Sequence, residues 1–116
     1  MDTSIEVLKN EMGKRWIIFK QIHTIFLALD NKVNYRIFPI YIVYSRGEKV
    51  FGVIYFKGKL IKNDNLIVGL KFNAQPDLQF FKEASEIKYA GINYYISLKN
   101  NEDLNKEIIT SIKSLT

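Results

Sequence analysis

Four stretches of this chain alternate apolar and other positions with a period of two, and two longer stretches with helical spacing bracket them. The first helical stretch carries Ile5, Leu8 and Met12, then Trp16, Phe19, Ile22 with His23, Phe26 and Leu29. Repeats of three and four residues place these on one stripe, from about residue 3 to residue 29. Thr3 or Ser4 is the expected N-cap, and Glu6 stands three residues after Thr3, the spacing of a capping box. Gly13 interrupts the stripe at a cost of about 1 kcal/mol relative to alanine, so it divides the segment into two helices or kinks one. Asp30-Asn31 reads as the stop.

The period-two runs predict strands over 38–45, 50–57, 66–72 and 93–99. In the first, Ile40, Ile42 and Tyr44 point to one side and Tyr41 and Val43 to the other, because successive strand side chains alternate faces. Arg46-Gly47-Glu48 is a short turn with a glycine, which makes the first two strands an antiparallel hairpin. Leu60-Ile61 reads as a short edge segment. Leu66, Val68, Leu70 and Phe72 share one side of the third strand, opposite Ile67, Gly69 and Lys71. Pro76-Asp77 opens a short helix over about 77–84, with Leu78, Phe81 and Ala84 on its buried side. Tyr94, Ile96 and Leu98 face one way in the last strand. Asn100 or Asn101 caps the final helix, whose first turn carries Glu102 and Asp103, where the helix dipole favours acids. Leu104, Ile108, Ile112 and Leu115 form its apolar face.

The expected architecture is one α+β domain over residues 1–116, in the order α-β-β-β-α-β-α. Its sheet is mostly antiparallel and four-stranded, with the N- and C-terminal helices packed on it. Both sides of the first two strands are apolar or aromatic, and Trp16-Ile17-Ile18 widens the helical stripe beyond about 100° of arc. Either the short helix covers the second side or another copy of the chain does, in a symmetric homodimer.

Composition narrows the chemistry. There is no cysteine, hence no disulfide framework, thiolate metal site or cysteine nucleophile. The longest apolar run, residues 37–44, falls far short of the roughly 20 residues of a membrane span. The acidic N-terminus lacks the basic-then-apolar pattern of a signal peptide. These features lead us to expect a cytoplasmic protein without membrane contact. The one histidine, His23, sits beside Ile22 and one turn before Phe26, the setting of a packed side chain rather than a base or metal ligand. Glu83 and Glu86 read as a solvated face. Gly47, Gly52 and Gly58 are separated by strand residues and form no phosphate-binding loop. Gly52 itself marks a bulge or room for a packed aromatic. The reading leans away from an enzyme and assigns no catalytic residue, metal or cofactor.

Net charge is +5, and it is unevenly spread. Residues 32–62 hold Lys32, Arg36, Arg46, Lys49, Lys57, Lys59 and Lys62 against Glu48 alone, so this segment carries +6 and the rest of the chain about −1. Such asymmetry attracts phosphates or acidic partners; equally, scattered lysines protect sheet edges from aggregation. Aromatic residues fall on the same strands. Tyr41, Tyr44 and Tyr55, with Arg46, Lys49, Lys57, Lys59 and Lys62, are the candidate partner-binding residues. The leading reading is a non-catalytic interaction or accessory module that binds protein, including its own copy. The alternative is a nucleic-acid-binding domain that uses a basic, aromatic sheet and turn surface, although the Lys/Arg-Gly-Phe-Gly-Phe type of signature of an RNA-recognition sheet is absent.

Several segments also resemble an uncharacterised family of small α+β domains of unknown function. They are Tyr41-Ile42-Val43-Tyr44-Ser45-Arg46-Gly47, Lys49-Val50-Phe51 leading into Ile54, Leu66-Ile67-Val68-Gly69-Leu70, and Tyr94-Tyr95-Ile96-Ser97-Leu98 with Asp103-Leu104 and Ile112. Some members are labelled predicted transport proteins, and some are fused behind predicted endonuclease domains. The resemblance spans roughly residues 34–115. It departs where family members carry a Gly/Trp-rich stretch before the last strand and this chain has Lys88-Tyr89-Ala90-Gly91. It implies the α+β fold and an accessory or stand-alone role, and it brings no catalytic residues.

Overall fold

The structure is a computed structural model, and it describes residues 5–85, 87, 89 and 91–115. The N-terminal segment is a 3-10 turn (Ile5–Leu8), helix α1 (Lys9–Met12), a second 3-10 turn (Gly13–Arg15) and helix α2 (Trp16–Leu27). Gly13 takes φ +58°, a conformation that only glycine adopts without strain, and it breaks the helical segment in two. The expected cap at Thr3 or Ser4 lies outside the described residues. Six strands follow: β1 (Val33–Ile37), β2 (Tyr41–Arg46), β3 (Lys49–Tyr55), β4 (Leu66–Leu70), β5 (Lys82–Glu83) and β6 (Tyr94–Leu98), before helix α3 (Lys106–Lys113). All pairings are antiparallel, in the order β1-β2-β3-β4-β6-β5.

The α+β class and the antiparallel sheet agree with the sequence pattern, but the sheet has six strands instead of four. Val33 to Ile37 forms an edge strand that the pattern did not single out, with Asn34 and Arg36 exposed between partly buried neighbours. The next strand starts at Tyr41, not Phe38. Residues 38–40 make the turn, where the Phe38 N–H donates to the Tyr41 carbonyl at 2.8 Å. Pro39 has no N–H to give a ladder, which is why the apolar run from residue 37 splits into two strands. The short helix expected over 77–84 is a single turn. The Phe80 and Phe81 N–H groups donate to the Asp77 carbonyl, and the Asp77 side chain accepts from Gln79. That side-chain bond competes with helix propagation. Phe81 is then fully buried, and the chain continues as β5, with Lys82 opposite Tyr95 and Glu83 opposite Tyr94. Leu60-Ile61 lies in a turn and not in a strand. The final helix begins later than expected. Asn100 and Asp103 form a capping box around the 3-10 turn Asn101–Asp103, and α3 takes a second cap, Asn105, which accepts from the Ile108 N–H at 2.9 Å.

The helices cover one face of the sheet. Phe19, Ile22 and Phe26 of α2 and Ile108 and Ile112 of α3 pack against Ile42, Tyr44, Ile54, Leu66, Val68 and Leu70. These side chains have the parity that the alternation predicts. Gly52 lies opposite Tyr44 at a β-bulge: Tyr44 pairs with Gly52 but Ser45 pairs with Val50, so Phe51 is the extra residue beside the glycine. A Cβ on Gly52 would stand in ordinary contact with the Phe26 ring, at 3.5 Å.

The second face carries a smaller apolar cluster of Val43, Val53 and Ile67, covered by Ile87 and Ile92. The chain's own Ala84, Ile87, Tyr89 and Ile92, rather than a short helix, pack on this side. Gly69 permits the approach. A Cβ on it would meet Ile92 Cγ2 at 2.8 Å, Val53 Cγ1 at 3.0 Å and Ile87 Cδ1 at 3.2 Å. The widened helical stripe divides as well, since Ile18 is buried whereas Ile17 is 59% exposed. Among the described residues no helix is long and apolar enough to cross a membrane.

Candidate anion-binding surface

The candidate residues do not assemble as one strip. Tyr44 is fully buried, and its hydroxyl shares a 2.7 Å hydrogen bond with His23 Nδ1. No partner can stack on it. Burial, with a smaller contribution from Tyr35, raises its phenol well above the usual value, so the hydroxyl stays protonated. His23 is also buried, and its ring lies 4.8 Å from Tyr35, edge-on. Burial first, and Lys20 second, lower its pKa to about 4. His23 is therefore a neutral packed side chain at pH 7.

Arg46, at the end of β2, turns to the helix side. Its Nε lies 3.5 Å from Asp30 Oδ2, its NH2 group donates to the Leu115 carbonyl at 3.3 Å, and its guanidinium stands over the Phe51 ring. Lys57 Nζ is 3.3 Å from Glu11 Oε1. Lys49 is exposed at the start of β3, opposite Arg46. Tyr41 and Tyr55 are half-buried on the second face, with ring centroids 5.0 Å apart, and Tyr41 also meets Phe38 and Tyr89. Burial, then Tyr41 and Tyr89, raises the Tyr55 pKa. These rings already satisfy one another.

Lys59 and Lys62 are the candidates that do converge. Both line a pocket of about 320 Å³ on the second face. That volume is at the lower end of the range for small-ligand sites, roughly 300–1,000 Å³. Lys82 of β5 stands on the opposite wall, and the apolar lining includes Ile67, Ile87 and Tyr95. Among the described residues no acid lines the pocket. Among the described residues none of these three lysines makes an ion pair, and the Tyr95 ring packs on no other ring.

Local sequence fixes the wall. Asn63 and Asp64 adopt φ of 56° and 57°, the left-handed region that Asn and Asp tolerate better than other side chains. This tight turn carries Lys62 back toward the sheet. Asn65 then locks it, accepting from the Lys62 N–H at 2.8 Å and donating to Ser97 Oγ of β6 at 2.6 Å. The opposite wall exists because β5 adds to β6 and sets Lys82 beside Tyr95. Sequence reasoning placed Lys82 on a helix and left it out, since two residues are too few to show a period.

Arg15 is a second polar residue that the pattern missed. It is 7% exposed and donates to four carbonyls: Met12 and Glu11 at 3.1 Å, Phe56 at 2.7 Å and Asn65 at 2.9 Å. It ties the end of α1 to the departure from β3 and the entry to β4. Burial lowers its pKa, against Asp64 and Glu11, which raise it. Its donors point at backbone, so it is a structural clamp. Among the described residues no group of three or more His, Asp and Glu side chains is placed to hold a metal ion. Glu86 lies outside the described residues, and Glu83 is exposed on β5. No family model matches the chain, and neither a curated protein nor a solved structure matches it.

Proposed function

We propose that this chain is a non-catalytic accessory module that binds nucleic acid through the basic end of the sheet's second face. The observation that carries the reading is the convergence of Lys59, Lys62 and Lys82 on one pocket, with no acid among its described lining residues. Lysines whose charge no neighbour neutralises are available to phosphate, and the summed field of such a patch draws in a polyanion. The surface is smaller than the sequence strip, because Tyr44, Arg46 and Lys57 are engaged within the fold. An accessory role is also what the resemblance of residues 34–115 implies.

A protein partner is the second reading. Its sequence support was the apolar character of both strand faces, which called for a covering partner or a second copy. Ile87 and Ile92 now cover the centre of the second face. The pocket beside it is basic among its described residues, so a protein partner seated there would bring an acidic segment.

Titration against single- and double-stranded nucleic acid at several salt concentrations tests the proposal. Phosphate-driven affinity falls steeply as salt rises, with a slope that counts the phosphates neutralised. We expect binding at low salt, a negative slope, and loss of both on changing Lys59 and Lys62 together to Glu. Absence of binding to any strand at low salt refutes the nucleic-acid reading; saturable binding to a poly-Glu peptide would then support the protein alternative.

A further inference from the structure

We infer that the pocket between the 58–65 turn and β5–β6 seats a single unstacked nucleotide, its phosphate among the lysines and its base against Tyr95. The inference rests on the nucleic-acid reading above and adds a site and a strand preference to it.

Three features of the pocket agree on this occupant. Its charge is one-sided among the described residues, with Lys59, Lys62 and Lys82 in the lining and no acid. Lysine recognises phosphate as a point charge, without the planar fork that selects carboxylates. Its body is apolar and flat, formed by Ile67, Ile87 and the half-buried Tyr95. The Tyr95 ring meets no other aromatic among the described residues, whereas Tyr41, Tyr55 and Tyr89 are engaged with one another. An aromatic side chain that lines a pocket beside cations is what a base and its phosphate require. Finally, about 320 Å³ suits one small ligand and not a helix. A base inside a duplex cannot enter it, because its faces are stacked and its edge is paired. The ligand chemistry is therefore a phosphate ester on a flat ring, whether it is a free nucleotide or one residue of a single strand.

The test is amide chemical-shift mapping of the full chain with four probes: adenosine 5′-monophosphate, a ten-residue oligodeoxyadenylate, adenosine and inorganic phosphate. We expect shifts at Ile67, Lys82, Ile87, Tyr95 and Ser97 with the nucleotide, the oligonucleotide or both. Saturation by the monophosphate assigns the site to free nucleotides, and saturation by the oligonucleotide alone assigns it to strands. Adenosine and phosphate should each bind at least about tenfold more weakly than the better nucleotide probe, since each lacks half of the contacts. Lys59→Glu with Lys62→Glu, both exposed, should abolish the pocket shifts while the rest of the spectrum stays unchanged. Tyr95→Leu should weaken nucleotide binding but leave phosphate binding unchanged. Salt-dependent strand binding with shifts elsewhere on the surface, equal affinity for duplex and single strand, or adenosine binding as tightly as its phosphate would each overturn the pocket assignment while leaving the nucleic-acid reading standing.

Discussion

His23 Nδ1 and the Tyr44 hydroxyl meet at 2.7 Å in the core between α2 and β2, neither of them exposed. Burial of the His23 imidazole, with Lys20 adding to it, makes the fold sensitive to acid. The folded pKa of His23 is about 4, below the unfolded value near 6.5, so the unfolded chain takes up the proton first. Its contribution is complete above about pH 6.5 and is lost as pH falls toward 4, to a total of roughly 3 kcal/mol. Urea unfolding followed from pH 7 to pH 4 should show this decline. In His23→Gln the slope over that window should flatten; an unchanged slope in the variant would assign the acid sensitivity to other groups.

Tyr44→Phe separates the hydrogen bond from the packing. The ring keeps its edge contact with Phe26, whose centroid lies 4.7 Å away, but His23 loses its partner. A buried donor or acceptor left unmet costs about 1–3 kcal/mol. The expected result is a lower denaturation midpoint with an unchanged slope in denaturant.

Arg15→Met should cost about 2–4 kcal/mol, because it leaves the Phe56 and Asn65 carbonyls without their charged donor. Arg15→Lys should recover only part of the loss, since an ammonium cannot reproduce the planar fork that reaches four carbonyls. Chemical denaturation of both variants checks the order wild type, Lys, Met.

Gly69→Ala tests how the second face is closed. The new methyl would stand 2.8 Å from Ile92 Cγ2 and 3.0 Å from Val53 Cγ1. Such overpacking costs about 1–3 kcal/mol. The segment that carries Ile87 and Ile92 is the side that can yield, because Val53 is held in the sheet. Amide exchange should therefore quicken in that segment before it changes in β3 or β4; uniform quickening would show that the whole sheet bears the strain.

Asn93 extends the sheet without strand geometry. Its side chain accepts from the Phe72 N–H at 2.9 Å and donates to the Phe72 carbonyl at 2.8 Å. Asn93→Asp keeps the acceptor and loses the donor, whereas Asn93→Ala loses both. We expect midpoints in the order Asn, Asp, Ala at neutral pH, with a loss of about 1–3 kcal/mol for alanine.

Periodicity made most of this fold legible, and where it failed the cause is local. Leu66 to Leu70 and Tyr41 to Ser45 read correctly because alternation sends successive side chains to opposite faces of the sheet, each with its own apolar cover. Val33 to Ile37 alternates as well, but Asn34 and Arg36 beside a charged turn resembled a connector. Lys82-Glu83 is too short to show any period, and its pairing depends on Tyr94 and Tyr95 of β6, further along the chain. Of the candidate site, Lys59 and Lys62 were visible as charge. Lys82 joins them only through a tertiary strand addition. Tyr44 was indistinguishable from Tyr41 by composition; parity alone sends one inward and leaves the other at the margin. Arg15 was hidden because its partners are carbonyls, which have no signature in sequence.

The strand order β1-β2-β3-β4-β6-β5 also sets a sequence of events. β2 and β3 close over Gly47-Glu48, and β1 joins β2 across residues 38–40. Closing short loops loses little entropy, so these three strands can zip together early. β6 reaches β4 only after residues 71–93 have been brought round. Until then one side of β4 offers unpaired backbone and Ile67 lies bare. β6 thus doubles as a temporal gate: chains paused before it docks would expose a row of unsatisfied amides along β4, and it is at that stage, rather than in the finished molecule, that crowding on the ribosome or in a refolding mixture would lead to clumping.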